Sequence, residues 1–207
     1  MTAQIHPTAI VDDGAMIGDG TKIWHFCHIQ TGAQIGQNCS LGQNVNVAND
    51  VRIGNGVKIQ NNVSVYKGVE LEDWVFCGPS CVFTNDLTPR AKYPKGEAGY
   101  LNTPVRTGAS IGANATIVCG HEIGEWAMIG AGAVVTSDVP AHALMLGVPA
   151  RQAGWVCECG SVLPCESSGR GYICPNCGRQ YQRAPSGLVN DNERCCPYVP
   201  STASKDL

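Results

Sequence analysis

Two groups of residues in this 207-residue chain could do chemistry. The first is a set of cysteines towards the C-terminus, in the stretches WVCECG and YICPNCGRQY. CPNCG brings two thiolates to one side of a tight turn, and two such turns make a tetrahedral four-sulfur site for Zn2+. Cys157, Cys159, Cys174 and Cys177 are the expected ligands. One residue rather than two separates Cys157 from Cys159, so Cys165 is an alternative ligand. A disulfide pair or unbound thiols compete with this reading, and a reducing compartment disfavours the disulfide. The ion would be structural, because about forty residues bury too little apolar surface to fold without a staple.

The second group surrounds Asn85, in FTNDLTPRAKYPKGEAGYLNTPV, from Phe83 to Val105. An amide oxygen accepts a hydrogen bond from an amine and so aims its lone pair, but it cannot take up a proton as a base. Tyr66 and Lys67 lie eighteen residues before Thr84 and Asn85. The ring suits a stacking contact, and the ammonium suits a phosphate or carboxylate. Arg90 adds a cation within the stretch itself. His25 and His28 are further polar candidates lower in the chain, although ordinary surface histidines explain them equally well. Plainer explanations are a corner asparagine for Asn85 and a solvated charge for Lys67. His121 is not assigned as a base.

The elements that must position these residues follow from a period of six. From Gln4 the chain divides into QIHPTA, IVDDGA, MIGDGT, KIWHFC and so on to VFTNDL. The second place is always apolar, from Ile5, Val11 and Ile17 through Leu71, Cys77 and Phe83, and the sixth is small or medium. The phase resumes at PVRTGA and continues to VVTSDV. Neither an amphipathic helix nor an alternating strand has this period, but a hexapeptide β-helix does. The fold class is therefore all-β, a parallel β-helix with a small zinc-ribbon-like module. The aliphatic points inward, with the small residue two places before it. Gly, Asn and Asp turn the corners. Three hexads make one triangular coil, and six to seven coils stack to a prism roughly 30 Å tall at strand spacing. An insertion is tolerated only at a corner. The segment 88–104 is thus a corner loop, long enough to be functional and rich enough in Pro and Tyr to dock as a flap, with a solvated decoration as the plainer explanation.

Composition narrows the rest. Aromatics make up 6% and charged residues 15% of the chain, which suits a narrow aliphatic core. A net charge of −3 argues against nucleic acid as a partner. No basic-then-apolar leader and no membrane-spanning run is visible, so a cytoplasmic, non-membrane protein is expected. Cys27, Cys39, Cys77 and Cys81 fall at inward places, whereas Cys119 does not. The expected organisation is a β-helix over 1–153, a zinc-ribbon-like module over 154–183 and a polar tail over 184–207, to which Cys195 and Cys196 belong without assigned function.

The repeats, the corner loop and the ending IGAGAVVTSDVPAHALMLGVPAR resemble the left-handed β-helix acyltransferases that use acyl-coenzyme A. KIWHFCHI and VSVYKGVELEDWVFCGPSCVFTNDLTPRA are most similar to nucleotide-sugar 3-amino N-acetyltransferases, above all those acting on UDP-2-acetamido-3-amino-2,3-dideoxyglucuronate for bacterial surface polysaccharides. The resemblance covers about residues 1–153 and says nothing of the cysteine module. It implies the left-handed sense, acetyl-CoA as cosubstrate, a nucleotide-sugar acceptor and a homotrimer with shared sites. It also implies Asn85 as the amine contact, where many relatives of this kind carry a histidine. Acetyl-CoA would lie along Gly112, Gly130 and Ala131, with Pro149 and Arg151 at its adenine and 3′-phosphate end. An amine beside electron-withdrawing oxygens titrates nearer about 8 than a lysine does, so a neutral fraction exists without a strong base. Three rivals stand beside this reading: an O-acetyltransferase, a γ-carbonic-anhydrase-like protein and a non-catalytic assembly protein. The first would want a histidine at the loop mouth. The second needs a three-histidine set that the five scattered histidines do not offer.

Overall fold

The computed structural model describes residues 2–164 and 171–191. Cys165, Cys195 and Cys196 lie outside the described residues. Each hexad except 122–127, which gives only a bridge at Ile123, contributes a strand of two or three residues, and strands eighteen residues apart pair in parallel: Ile5 with Ile23, Val11 with Ile29, Met16 with Gln34. Three sheets of nine, seven and five strands form the faces of one prism. The second-place residues Ile29, Leu41, Val65, Leu71, Ile111 and Ile129 are fully or almost fully buried in a single core. Cys27, Cys39, Cys77 and Cys81 fill inward places in it.

The corners show why the other places are restricted. Between the nine- and seven-stranded faces, Phe26, Asn44, Asn62, Ser80, Asn114 and Gly132 all have positive φ. Gly14, Gly32, Asp50 and Gly68 do so at the second corner, and Gly20, Asn38, Gly56, Trp74, Gly108, Trp126 and His142 at the third. Most corners use one left-handed residue per coil, a conformation that asparagine, aspartate and glycine adopt at least cost, although the first, at Pro7–Thr8, does not.

Three features depart from the expectations. Ile5, at an inward place, is 44% exposed, because no coil lies beyond the first to cover it. Cys119, outside the inward set, is fully buried. The returning end of the corner loop lies over it: Gly120 N–H donates to Asn102 O at 3.1 Å, and Leu101 packs beside Gly120. Finally, residues expected in the polar tail continue the module, since Gln180–Ala184 pairs with Gly187–Asn190 in a hairpin and Tyr172–Ile173 completes a three-stranded antiparallel sheet.

The insertion is measured by register. Leu71 pairs with Val105, 34 residues on, where the coils on either side of the prism advance by 18. The extra length leaves after Val82–Phe83 and rejoins at Thr103–Val105, at the second corner. The strands before and after it keep their neighbours.

Candidate active site at the corner loop

The loop is pinned at its neck and along its length. Leu101 N–H donates to Asn85 O at 2.9 Å, closing the neck, and Thr103 N–H donates to Gly68 O at 2.8 Å. Within the loop, Lys95 Nζ bonds Asp86 Oδ1 at 2.6 Å and also reaches the Thr88 hydroxyl. The Lys95 hydrogen bond, aided by the Thr88 N–H, holds the Asp86 carboxyl below its ordinary range. From the one turn of 3-10 helix at Glu97–Gly99, Glu97 reaches back to the wall and accepts from Lys67 Nζ at 2.8 Å. Asp50, one coil away, accepts from the same ammonium at 3.1 Å. Both carboxylates, Glu97 first, raise the Lys67 pKa.

Beneath the helical turn lies a cleft of about 510 Å³ whose walls include Asp50, Arg52, Lys67, Glu97, Tyr100 and Arg106. Three cations and at least as many carboxylates converge here. Arg106 Nη1 bonds Glu72 at 2.9 Å, and Arg106 also pairs with Glu122. Burial alone would push the Glu72 carboxyl up, but bonds from Arg106 and from the Thr107 N–H and hydroxyl outweigh it and hold it down. Arg52, Glu97, Tyr100 and Arg106 were not singled out by sequence reasoning. Only the 34-residue register step that sets Val69–Leu71 beside Thr103–Val105 brings them together.

Asn85 stands half-buried at the mouth of the loop. Among the described residues its side-chain amide has no hydrogen-bond partner, whereas its backbone carbonyl is used to close the neck. Tyr66 is 42% exposed one coil below. Arg90 is exposed on the loop, with its carbonyl accepting from Tyr93 N–H at 3.0 Å. His25 and His28 sit in lower coils, whereas His121 follows Gly120, whose N–H donates to Asn102 O at 3.1 Å, and so stands beside the loop's returning end. His25 packs against His6 with ring centroids 3.6 Å apart, and His28 Nε2 is 3.1 Å from both carboxylate oxygens of Asp12. His121 lies 3.5 Å from Asp138.

Gly112, Gly130 and Ala131 lie elsewhere on the prism, on the nine-stranded face and its first corner. The coils pack tightly there. A Cβ on Gly112 would stand 2.5 Å from Ala131 N, and one on Gly130 would stand 2.4 Å from Leu146 Cδ2. Stacking therefore requires glycine at Gly112, which meets backbone, whereas at Gly130 the exposed Leu146 side chain would have to move aside. Pro149 and Arg151 are exposed on the hairpin that pairs Ala143–Leu146 with Arg151–Trp155, and Arg151 Nη1 donates to Ala150 O at 2.9 Å.

The four cysteines expected as ligands do converge. Their sulfurs all lie within 4.8 Å of one another, with Cys157–Cys177 and Cys159–Cys174 each at 3.5 Å, and none forms a disulfide. Sulfurs about 2.3 Å from a shared tetrahedral ion stand a little under 4 Å apart, so this set fits Zn2+. Arg179 Nη1 points at Cys177 Sγ from 3.5 Å, and Tyr181 Oη lies 3.1 Å from Cys157 Sγ.

Comparison with known proteins places this geometry. The bacterial transferase hexapeptide (six repeats) model matches residues 14–49, and the hexapeptide repeat of succinyl-transferase matches 32–67 and 108–137. Hexapeptide repeats of the kind found in bacterial transferases thus run through these parts of the chain. The chain is 48% identical over 91 residues to the dTDP-3-amino-3,6-dideoxy-alpha-D-galactopyranose 3-N-acetyltransferase of Aneurinibacillus thermoaerophilus, covering 44% of this chain and 45% of that protein. It is 37% identical over 84 residues to the serine acetyltransferase of Escherichia coli K12, covering 39% of this chain and 31% of that one. The matches thus span less than half the length of these hexapeptide-repeat relatives. A hexapeptide-repeat acetyltransferase from Vibrio cholerae, solved with acetyl coenzyme A, superposes with a TM-score of 0.50 at 27% identity, over 60% of this chain and 70% of that one.

Proposed function

We propose that the chain transfers an acetyl group from acetyl-CoA to the 3-amino group of a nucleotide sugar, UDP-linked, in the cytoplasmic synthesis of a bacterial surface polysaccharide. The observation that carries this reading is the unpartnered amide of Asn85 at the mouth of the one long insertion among the described repeats. The relative from Aneurinibacillus is named for the same chemistry on a dTDP-linked 3-amino sugar. The Asn85 oxygen would accept a hydrogen bond from the amine. Its nitrogen then attacks the thioester carbon, the C–N bond forms, the C–S bond breaks, and the amine proton leaves with the CoA thiolate or to water. Alignment of two bound reactants can supply more than the hundred- to ten-thousand-fold that a general base contributes. A serine or sugar hydroxyl, far less acidic than an ammonium, would need the base that Asn85 cannot be. Lys67, Tyr66 and Arg90 are assigned to the acceptor, with His25 and His28 further along its nucleotide. Gly112, Gly130, Ala131, Pro149 and Arg151 are assigned to acetyl-CoA.

A homotrimer, implied by the family resemblance, is part of the proposal, and the geometry supports a neighbouring copy. Asn85 stands at the second corner of the prism and Ala131 at the first, on either side of the seven-stranded face. One chain cannot present both to one pair of reactants, so a neighbouring copy completes the site. The outward residues Asn46, Ser64, Val82, Thr116 and Val134 leave much of the intervening face uncharged, which suits a buried contact. Cys157, Cys159, Cys174 and Cys177 are assigned to a structural Zn2+, consistent with thiols kept reduced in a cytoplasm.

The test is thiol release from acetyl-CoA with UDP- and dTDP-linked 3-amino sugars, 4-amino sugars and serine. Turnover at least about a hundredfold faster with a 3-amino sugar is expected, the margin a site built around one polar group can enforce. A preference for serine, or release with no acceptor preference, would overturn the reading.

A further inference from the structure

The module's junction with the prism points to a task for the cysteines beyond holding their own loops together. The last coil ends on Ala141 and His142. Ala141 N–H donates to Ser186 O at 2.9 Å, and its carbonyl accepts from Leu188 N–H at 3.2 Å, so the hairpin strand Gly187–Asn190 docks directly on that coil. A Cβ on Gly187 would stand 2.3 Å from Ala141 O, so only glycine permits this approach. His142 is 4% exposed, with Nδ1 3.0 Å from Val156 O and its ring edge-on to Tyr181 at 4.8 Å between centroids. Tyr181 carries the contact on to Cys157 Sγ at 3.1 Å. Trp155 packs against both the prism core and the module core.

Trp155 also ends the strand Arg151–Trp155, which is the outermost strand of the nine-stranded face, and two residues later comes Cys157. Its partner Ala143–Leu146 follows His142 directly. Both legs of the hairpin that presents Pro149 and Arg151 are therefore held at their base by the four-cysteine module. We propose that metal occupancy of Cys157, Cys159, Cys174 and Cys177 holds the 143–155 hairpin in place and so sets the affinity for the nucleotide end of acetyl-CoA. This rests on the assignments of Zn2+ and of Arg151 made above. Tyr181, His142 and Gly187 are positioning residues that transmit the effect.

The experiment compares the full chain, as purified with zinc chloride, with the same chain after chelation and with Gly187→Val. Metal content, amide hydrogen exchange of residues 143–155 and acetyl-CoA kinetics are read together. Expected are about one zinc per chain, exchange in the hairpin faster by at least about tenfold after chelation, and exchange in the coils around Leu41 and Ile59 unchanged. Gly187→Val should keep its zinc yet show the same faster exchange in the hairpin. In both, KM for acetyl-CoA should rise about tenfold with kcat within about twofold, the pattern of lost binding rather than lost chemistry. Absence of metal from the purified chain would overturn the zinc assignment itself. A zinc-loaded protein whose hairpin exchange does not respond to chelation or to Gly187→Val would overturn the coupling alone. Faster exchange with an unchanged KM would separate the hairpin from acetyl-CoA.

Discussion

Asn85 and Lys67 are neighbours by sequence arithmetic, but the structure gives them opposite circumstances. Lys67 is engaged by Asp50 and Glu97, while the Asn85 amide is left with its hydrogen-bonding capacity unspent. An incoming anion must therefore compete with two carboxylates for Lys67, whereas an incoming amine displaces no protein group from the Asn85 side chain among the described residues. Replacing Asn85 by alanine should lower kcat by roughly ten- to a hundredfold, the range for one aligned polar contact. Light scattering should find the assembly unchanged. A turnover equal to the parent's would remove Asn85 from the site. The sequence made Asn85 legible because it opens the segment that breaks the period. It could not reveal Glu97 as the partner of Lys67, because that contact joins residues 30 apart through a loop whose path no repeat dictates. Nor could it separate two reasons for a glycine: Gly112 suits a bound cofactor, and the backbone of the coil above it also forbids a side chain.

Among the elements, the hexads were readable throughout, since each needs one inward aliphatic and one left-handed corner residue and nothing from afar. The module was readable only in part. Its cysteine spacing announces a metal turn, but its last strand, Gly187–Asn190, has just two buried residues and lies in a stretch that looks polar. The corner loop is an appendage in energetic terms. Val82–Phe83 pairs with Ser64–Val65 on one side and Thr116–Ile117 on the other, and Thr103–Val105 pairs with Val69–Leu71, so neither flank depends on the loop between them. Excising residues 88–100 behind a two-glycine bridge should therefore leave the circular dichroism of the prism unchanged and move its thermal midpoint by no more than about 3 °C, since shortening a surface loop changes closure entropy only slightly. Acetyl transfer should fall by at least about a hundredfold, because the wall that aligns the acceptor is gone. A shortened chain that still transfers acetyl at the parent rate would place the chemistry elsewhere.

The molecule as a whole is a column whose finishing point is acid-sensitive. Burial favours the uncharged imidazole of His142 and lowers its pKa, an effect larger than the opposing pull of the Val156 carbonyl and Glu158. A depressed folded-state value means that its contribution to stability is complete above the ordinary histidine range, near 6.5, and is lost as pH falls from there through the folded value. The thermal midpoint should accordingly drop between about pH 7.5 and 5.5. His142→Asn, a residue comfortable at the positive φ found there, should flatten that part of the profile. An identical slope in the variant would assign the sensitivity to other groups. The two extremities of the column also differ in what they offer a stranger. At the far extremity the seven-stranded face is closed over by Gly147 and Ala150 bonding to Val134, and the nine-stranded face by Arg151–Trp155. At the near extremity the strands Gln4–Ile5, Ile10–Val11 and Met16–Ile17 each have a neighbour on one side only, with Ile5, Ile10 and Met16 open to water. A stack of β-coils with both extremities bare could lengthen without limit by adding copies end to end. Here the far extremity carries an antiparallel strand and the bonds of Gly147 and Ala150 across two of its faces, which disfavours such growth there.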